Sequence, residues 1–193
     1  MQNIFPACAL SFIFFISGCS NNSSNPTVRV KDTTANDNSY FPVTQFIKGQ
    51  LKEIDSLSVT LLKIASINGK HDSVWLKKEN IREFAKPFIF IEIDSVYLNK
   101  FYEKKSFLDQ TINSITLTYD PLKSITDPKS IAVYISPETN KVTRIYMVRE
   151  IAGNESMQTC QLTWFTGPCC KITTISETEN MPPQRKDTKI IRT

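Results

Sequence analysis

Val43, Phe46, Ile47, Leu51 and Ile54 recur at the spacing of one helix face, behind Pro42 at a tolerated first-turn position. The pattern predicts an amphipathic helix over 43–55. From Val59 to Ile67 the chain is dense in Val, Leu and Ile and reads as a strand. Asn68-Gly69 follows, the pair that best tolerates the positive φ angles of a two-residue hairpin turn. A return strand at about 72–77 carries Trp75. Residues 79–86 are helical in pattern through Ile81, Phe84 and Ala85, and Pro87 ends them. Phe88 to Ile93 reads either as a short buried strand or as an extended link. Asp94 or Ser95 then caps another short helix carrying Val96, Tyr97, Leu98 and Phe101.

The last third alternates with period two. Ile115, Leu117 and Tyr119 interleave with Thr116 and Thr118, a half-buried strand that Asp120-Pro121 breaks. Ile131 to Ile135 and Val142 to Glu150 flank the turn-rich stretch from Ser136 to Asn140. After Gly153-Asn154, Cys160, Leu162 and Trp164 alternate with Gln161 and Thr163, and Thr166-Gly167-Pro168 leads into Cys170 to Ser176. Strands joined by short turns form an antiparallel meander. The expected class is α+β: a meander sheet in the C-terminal half, with two or three short helices from the N-terminal half on one face.

Both ends read differently. Ile4 to Gly18 carries no charge, and its apolar run has the length of a signal-peptide core, short of the ~20 residues of a membrane span. It ends at Ile16-Ser17-Gly18-Cys19. This resembles the bacterial lipobox, an aliphatic residue and two small residues before cysteine. The small residues let the strand enter a protease site, and the Cys19 thiol takes the lipid. The resemblance implies cleavage between Gly18 and Cys19, acylation of Cys19, and anchoring by two or three chains at about 0.8 kcal/mol per buried CH₂. Ser20, where many inner-membrane lipoproteins carry Asp, implies the outer membrane. The acid-free stretch from Ser20 to Asn25 implies its periplasmic face. The lipobox, the Asn-rich tether and the turn chemistry are similar to those of small uncharacterised Bacteroidetes lipoproteins. The layout also resembles curved-sheet periplasmic proteins such as the outer-membrane lipoprotein carriers, with no functional residue carried across.

The expected organisation is therefore a signal peptide over 1–18, a disordered tether over 19–38, a domain over 39–176 and a disordered tail over 177–193. The tether and tail lack the apolar content to order themselves. A flexible chain of the tether's length spans roughly 25 Å.

The chain has 193 residues, 40% hydrophobic and 22% charged, with a net charge of +4. The charge is small and unclustered, which argues against nucleic acid as a partner. Glycines stand only at 18, 49, 69, 153 and 167, so there is no phosphate loop, dinucleotide fingerprint or Gly-x-Ser-x-Gly elbow. The single histidine, His71, has no ligand spacing around it and reads as a turn residue. No metal or other cofactor is implied. Glu92 and Asp94 are the nearest thing to a carboxylate pair in an apolar setting, since glycoside-cleaving pairs need no motif. Lys77-Lys78 and Lys104-Lys105 read as solvated rim or as contacts for anionic lipid heads.

An oxidising envelope favours disulfides, and Cys160 with Cys169 or Cys170 is the candidate bridge, with Cys160 and Cys170 carried forward. Four triplets, Asp32-Thr33-Thr34, Asp55-Ser56-Leu57, Asp72-Ser73-Val74 and Asp94-Ser95-Val96, resemble the acceptor of Bacteroidetes O-glycosylation. Thr33 in the tether is the glycan candidate; the same pairs also serve turns and caps.

The expected function is a lipid-anchored, non-catalytic binding or assembly module. Its partners are the membrane through its anchor and an envelope protein or lipid. Such a module predicts an exposed apolar patch on the open sheet face. The alternatives are a binder of lipid or a small apolar ligand, with a cavity lined by Phe, Ile and Leu, and a hydrolase with convergent carboxylates.

Overall fold

The computed structural model describes residues 40–153, 156–167, 169–179 and 181–193, without the side chain of Cys169. The expected signal peptide and tether, the lipid-attachment candidate Cys19 and the glycan candidate Thr33 lie outside the described residues.

Helix α1 (Val43–Ser56) buries Val43, Thr44, Ile47, Leu51 and Ile54 and turns Lys48, Lys52 and Glu53 to solvent. It starts at Pro42, which carries no side-chain cap. At its other end the Lys78 ammonium donates to the Asp55 carbonyl at 3.0 Å, a cation where helix carbonyls lack partners. Strands β1 (Leu61–Ile67) and β2 (Lys70–Leu76) form the hairpin expected at Asn68-Gly69, whose φ angles are 47° and 83°. A short helix, α2 (Ile81–Ala85), sits between two 3₁₀ turns, Lys78–Asn80 and Lys86–Phe88. The segment that follows is an extended link rather than a strand. It leads into α3 (Ser95–Phe101), capped by Asp94, whose Oδ1 accepts the Tyr97 N–H at 2.7 Å.

Seven strands complete the chain: β3 (Tyr102–Asp109), β4 (Ser114–Pro121), β5 (Ser130–Ile135), β6 (Val142–Ala152), β7 (Ser156–Phe165), β8 (Cys169–Thr178) and β9 (Gln184–Arg192). All pairings are antiparallel, and the order is β2-β1-β9-β8-β7-β6-β5-β4-β3. The expected antiparallel sheet and its N-terminal helices are present. The sheet dominates, however: among the described residues nine strands stand against three helices, and the β1–β2 hairpin extends it beyond the C-terminal meander.

Two elements differ from the sequence expectation. Residues 177–193 are not a disordered tail. Their larger part is β9, which pairs with β8 on one side and β1 on the other, and residues 38–193 form one compact unit. Five of the nine residues in β9 are charged, which hides a strand from any hydrophobic count. Thr188 and Ile190 nevertheless face the core, 7% and 1% exposed. Strand β3 was also not expected; its Glu103-Lys104-Lys105 run belongs to an edge strand, where charge guards against further pairing.

The core lies between one sheet face and the helices. Because direct partners in a ladder share a face, the rows Leu162–Met147–Ile131–Tyr119 and Trp164–Ile145–Val133 form its floor. Ile47, Leu51, Ile81, Phe88, Ile93 and Leu98 form the roof. Phe88 meets Trp164 edge-on, with centroids 5.3 Å apart. Buried Thr44 ties α1 to the link: its hydroxyl donates to the Ile91 carbonyl at 3.0 Å and accepts the Ile93 N–H at 2.8 Å. Tyr102 closes one end by donating to the Pro128 carbonyl at 2.7 Å, and burial pushes its phenol well above the ordinary tyrosine range.

Candidate functional site

Period two sends every second side chain of the sheet away from the helices. Among the described residues no helix packs against that second face, the bare face of the sheet. Its outermost row crosses all nine strands. From the β2 edge it runs Trp75, Leu62 and Ile191, then through the backbone of Cys169 to Phe165. It continues through Arg144, Tyr134 and Thr116 to Phe107 at the β3 edge. At about 4.8 Å per strand the row is roughly 38 Å long. Its ends stand out, with Trp75 63% and Phe107 50% exposed.

Arg144 lies with its guanidinium 3.8 Å from the centre of the Tyr134 ring. The two residues, with Phe165, Ile112, Ser114 and Thr143, line a depression of about 280 Å³ in the middle of the row. Thr116, beside them, is buried, and its hydroxyl has no hydrogen-bond partner among the described residues.

The neighbouring row on this face is cationic. Lys171 and Lys189 are direct register partners, which sets two like charges side by side. Asp187, further along β9, relieves one of them: its Oδ1 lies 3.0 Å from the Lys171 ammonium. It also accepts the Thr173 hydroxyl at 2.6 Å and Arg185 Nε at 2.8 Å. The Arg185 hydrogen bond, then those of Thr173 and Lys171, hold the Asp187 carboxyl well below the usual carboxylate range, against burial that opposes them. The sign follows from linkage. A depressed carboxylate contributes stability above its unfolded pKa of about 3.9 and loses it as pH falls further. Urea unfolding of wild type and Asp187→Asn is therefore expected to differ most above about pH 5 and to differ progressively less as pH falls toward about pH 2. A difference that stays constant over that range would show that the ionised carboxylate is not its source.

The residues singled out by the sequence have separate places. Cys160 faces Thr174 across the ladder, and Cys170 faces Trp164. The two cysteines are thus four residues apart along neighbouring strands, about 13 Å, where a disulfide needs Cα atoms within about 7 Å. The expected Cys160–Cys170 bridge is not formed; Cys160 Sγ lies 3.9 Å from the Thr174 hydroxyl instead. Glu92 and Asp94 do not converge: Glu92 pairs with Lys48 of α1 at 2.5 Å, and Asp94 caps α3. His71 is exposed at the start of β2, and no group of three metal-ligating side chains exists among the described residues. Lys78 caps α1, Lys104 lies over the Tyr40 ring, and Lys105 pairs with Asp120 and Glu103. Three of the four Asp-Ser/Thr triplets are described, and their acids are engaged within the fold. Asp55 pairs with Arg82, Asp72 accepts the Ser73 N–H, and Asp94 is the cap already noted.

No family model matches the chain, and no curated protein or solved structure matches it either. The bare face therefore stands on its own chemistry. Sequence reasoning placed Trp75, Leu62, Arg144, Tyr134 and Thr116 in strands but left Phe107 and Ile191 outside any strand, and it did not find the row itself. Trp75 and Phe107 are 32 residues apart in the chain and sit at opposite edges of the sheet, a placement that only the strand order creates.

Proposed function

We propose that this chain is a lipid-anchored envelope protein whose domain is a non-catalytic binding module. It lays the bare face of its sheet on the periplasmic surface of the outer membrane that holds its anchor. The observation that carries the reading is the aromatic row beside the Lys171–Lys189 pair, with no acidic side chain in the row. Trp, Tyr and Phe favour the boundary between headgroups and acyl chains, and adjacent lysines favour anionic lipid. An acylated Cys19, about 25 Å of leash from the domain, keeps that surface in reach. The space between helices and sheet is filled by buried side chains, and the helix-face carboxylates Glu92 and Asp94 serve an ion pair and a cap. Both facts favour a binding surface over an internal ligand cavity or a carboxylate-based hydrolase.

Vesicles test the reading on the full chain carrying Cys19→Ser, so that no lipid contributes. The chain is expected to sediment with phosphatidylcholine vesicles containing phosphatidylglycerol, and less so as salt shortens the Debye length from about 10 Å to about 3 Å. Its fluorescence reports the contact directly, because of its two tryptophans Trp75 is exposed and Trp164 is 2% exposed. Trp75 emission should shift to the blue. Trp75→Ala with Phe107→Ala is expected to weaken binding by at least tenfold, the worth of ~1.5 kcal/mol of buried aromatic surface. A protein that stays in the supernatant with unchanged emission overturns the membrane-facing reading.

A further inference from the structure

The helix side of the sheet is only partly roofed. Beyond Phe84 of α2, the ladder continues as an open depression of about 230 Å³ lined by Lys63, Phe84, Ile172, Thr174, Lys186 and Thr188. A second hollow of about 380 Å³ adjoins it, sharing Thr174 and Lys186. Lys63 and Lys186 approach from opposite ends. Lys63 pairs in register with Ile190 and Lys186 with Ile67, so the lysines bracket Thr188 on β1 and β9.

Their charges are unusually placed. Lys63 is half-buried, yet neither lysine has a carboxylate partner among the described residues. The acids nearby are engaged elsewhere: Asp72, on the same face of β2, accepts the Ser73 N–H, and Glu83 of α2 pairs with Lys86. A half-buried cation without a counter-charge is costly. The hydroxyls of Thr174 and Thr188 add donors between them, while Phe84 and Ile172 offer apolar surface alongside.

We propose that this hollow is a binding site for a small anionic amphiphile. A carboxylate or phosphate head sits between Lys63 and Lys186 on the threonine hydroxyls, and a short apolar portion lies against Phe84 and Ile172. The site is on the opposite face from the aromatic row, so it stands or falls independently of the membrane reading.

Titration of the full chain, followed by backbone amide shifts, tests it with hexyl phosphate, hexanoate and inorganic phosphate as probes. Hexyl phosphate and hexanoate should move the amides of Lys63, Thr174, Lys186 and Thr188. Hexyl phosphate should bind roughly tenfold more tightly than inorganic phosphate, reflecting apolar contact. Lys63→Met and Lys186→Met should each weaken hexyl phosphate by roughly tenfold, the value of one charge-assisted hydrogen bond. Lys141→Met, in the turn between β5 and β6, should leave it unchanged, and each variant's own spectrum shows whether it is folded. Equal affinity for inorganic phosphate and hexyl phosphate would overturn the amphiphile assignment. Equal weakening by Lys141→Met would reduce the effect to net charge, and an absence of shifts at these residues would remove the site.

Discussion

Phe88→Ala is expected to destabilise the domain by ~3–5 kcal/mol, the range for removing a fully buried aromatic ring. Phe88 is 0% exposed and closes the 3₁₀ turn Lys86–Phe88. Its ring stands edge-on against Trp164 of β7, near the centre of the strand order. It belongs to the same buried cluster as Ile47, Ile81, Ala85 and Ile145, so truncation leaves a hole bounded by both layers. Domains of this size are stable by about 5–15 kcal/mol, so one side chain accounts for a large fraction. Phe88→Leu keeps most of the volume and should cost clearly less. Urea unfolding measured by circular dichroism decides it. A Phe88→Ala midpoint equal to that of wild type would mean that the helical layer does not unfold cooperatively with the sheet.

Cys19→Ser is expected to have the largest cellular effect: loss of palmitate labelling, and transfer of the protein from the membrane pellet to the soluble envelope fraction once the membranes are washed at high salt. One acyl chain gives only marginal attachment, with an association constant of about 10⁴ M⁻¹, whereas two or three hold stably. In the proposed membrane reading the aromatic row supplies the weaker, reversible contact. The order of effects is therefore fixed in advance. Trp75→Ala with Phe107→Ala in the lipidated chain should leave the protein in the pellet. Cys19→Ser alone should release it at high salt. At the first described residues, Tyr40 packs on Tyr119 with centroids 5.9 Å apart, and the Phe41 N–H donates to the Tyr119 hydroxyl at 3.1 Å. Unchanged labelling and sedimentation of the Cys19→Ser chain would sink the lipoprotein reading while leaving the vesicle result to be judged separately.

Local signals were strong where the physics is local. The 43–56 helix shows its buried stripe in the order of Val43, Ile47, Leu51 and Ile54. The Asn68-Gly69 hairpin follows from which residues tolerate positive φ, and the Asp94 cap from a short acceptor beside free helix N–H groups. The meander from β4 to β8 was legible because apolar and polar residues alternate along its strands, as Ile115, Leu117 and Tyr119 do with Thr116 and Thr118. Strand β9 was not legible. Its charges are accommodated by position: Asp187 gathers Arg185, Lys171 and Thr173, and Lys186 and Lys189 end in solvent. A charged strand can be central only when both neighbours pair its backbone, and no window of nine residues contains that information.

The same division holds for chemistry. Cys160 and Cys170 looked bridgeable because a hairpin brings its strands together, but register decides which residues face each other, and a shift of four residues places the thiols out of reach. The amino-acid order alone determined the short elements, the uncharged apolar run that ends at Ile16-Ser17-Gly18-Cys19 and the absence of glycine-rich phosphate loops, because each depends on neighbours a few bonds away. Only the tertiary structure decided that β9 inserts between β1 and β8, that residues from both edges line up in one aromatic row, and that Lys63 and Lys186 share a hollow. Those facts arise from hydrogen-bond register between segments more than a hundred residues apart, where the backbone's need for partners outweighs the preference of any single side chain.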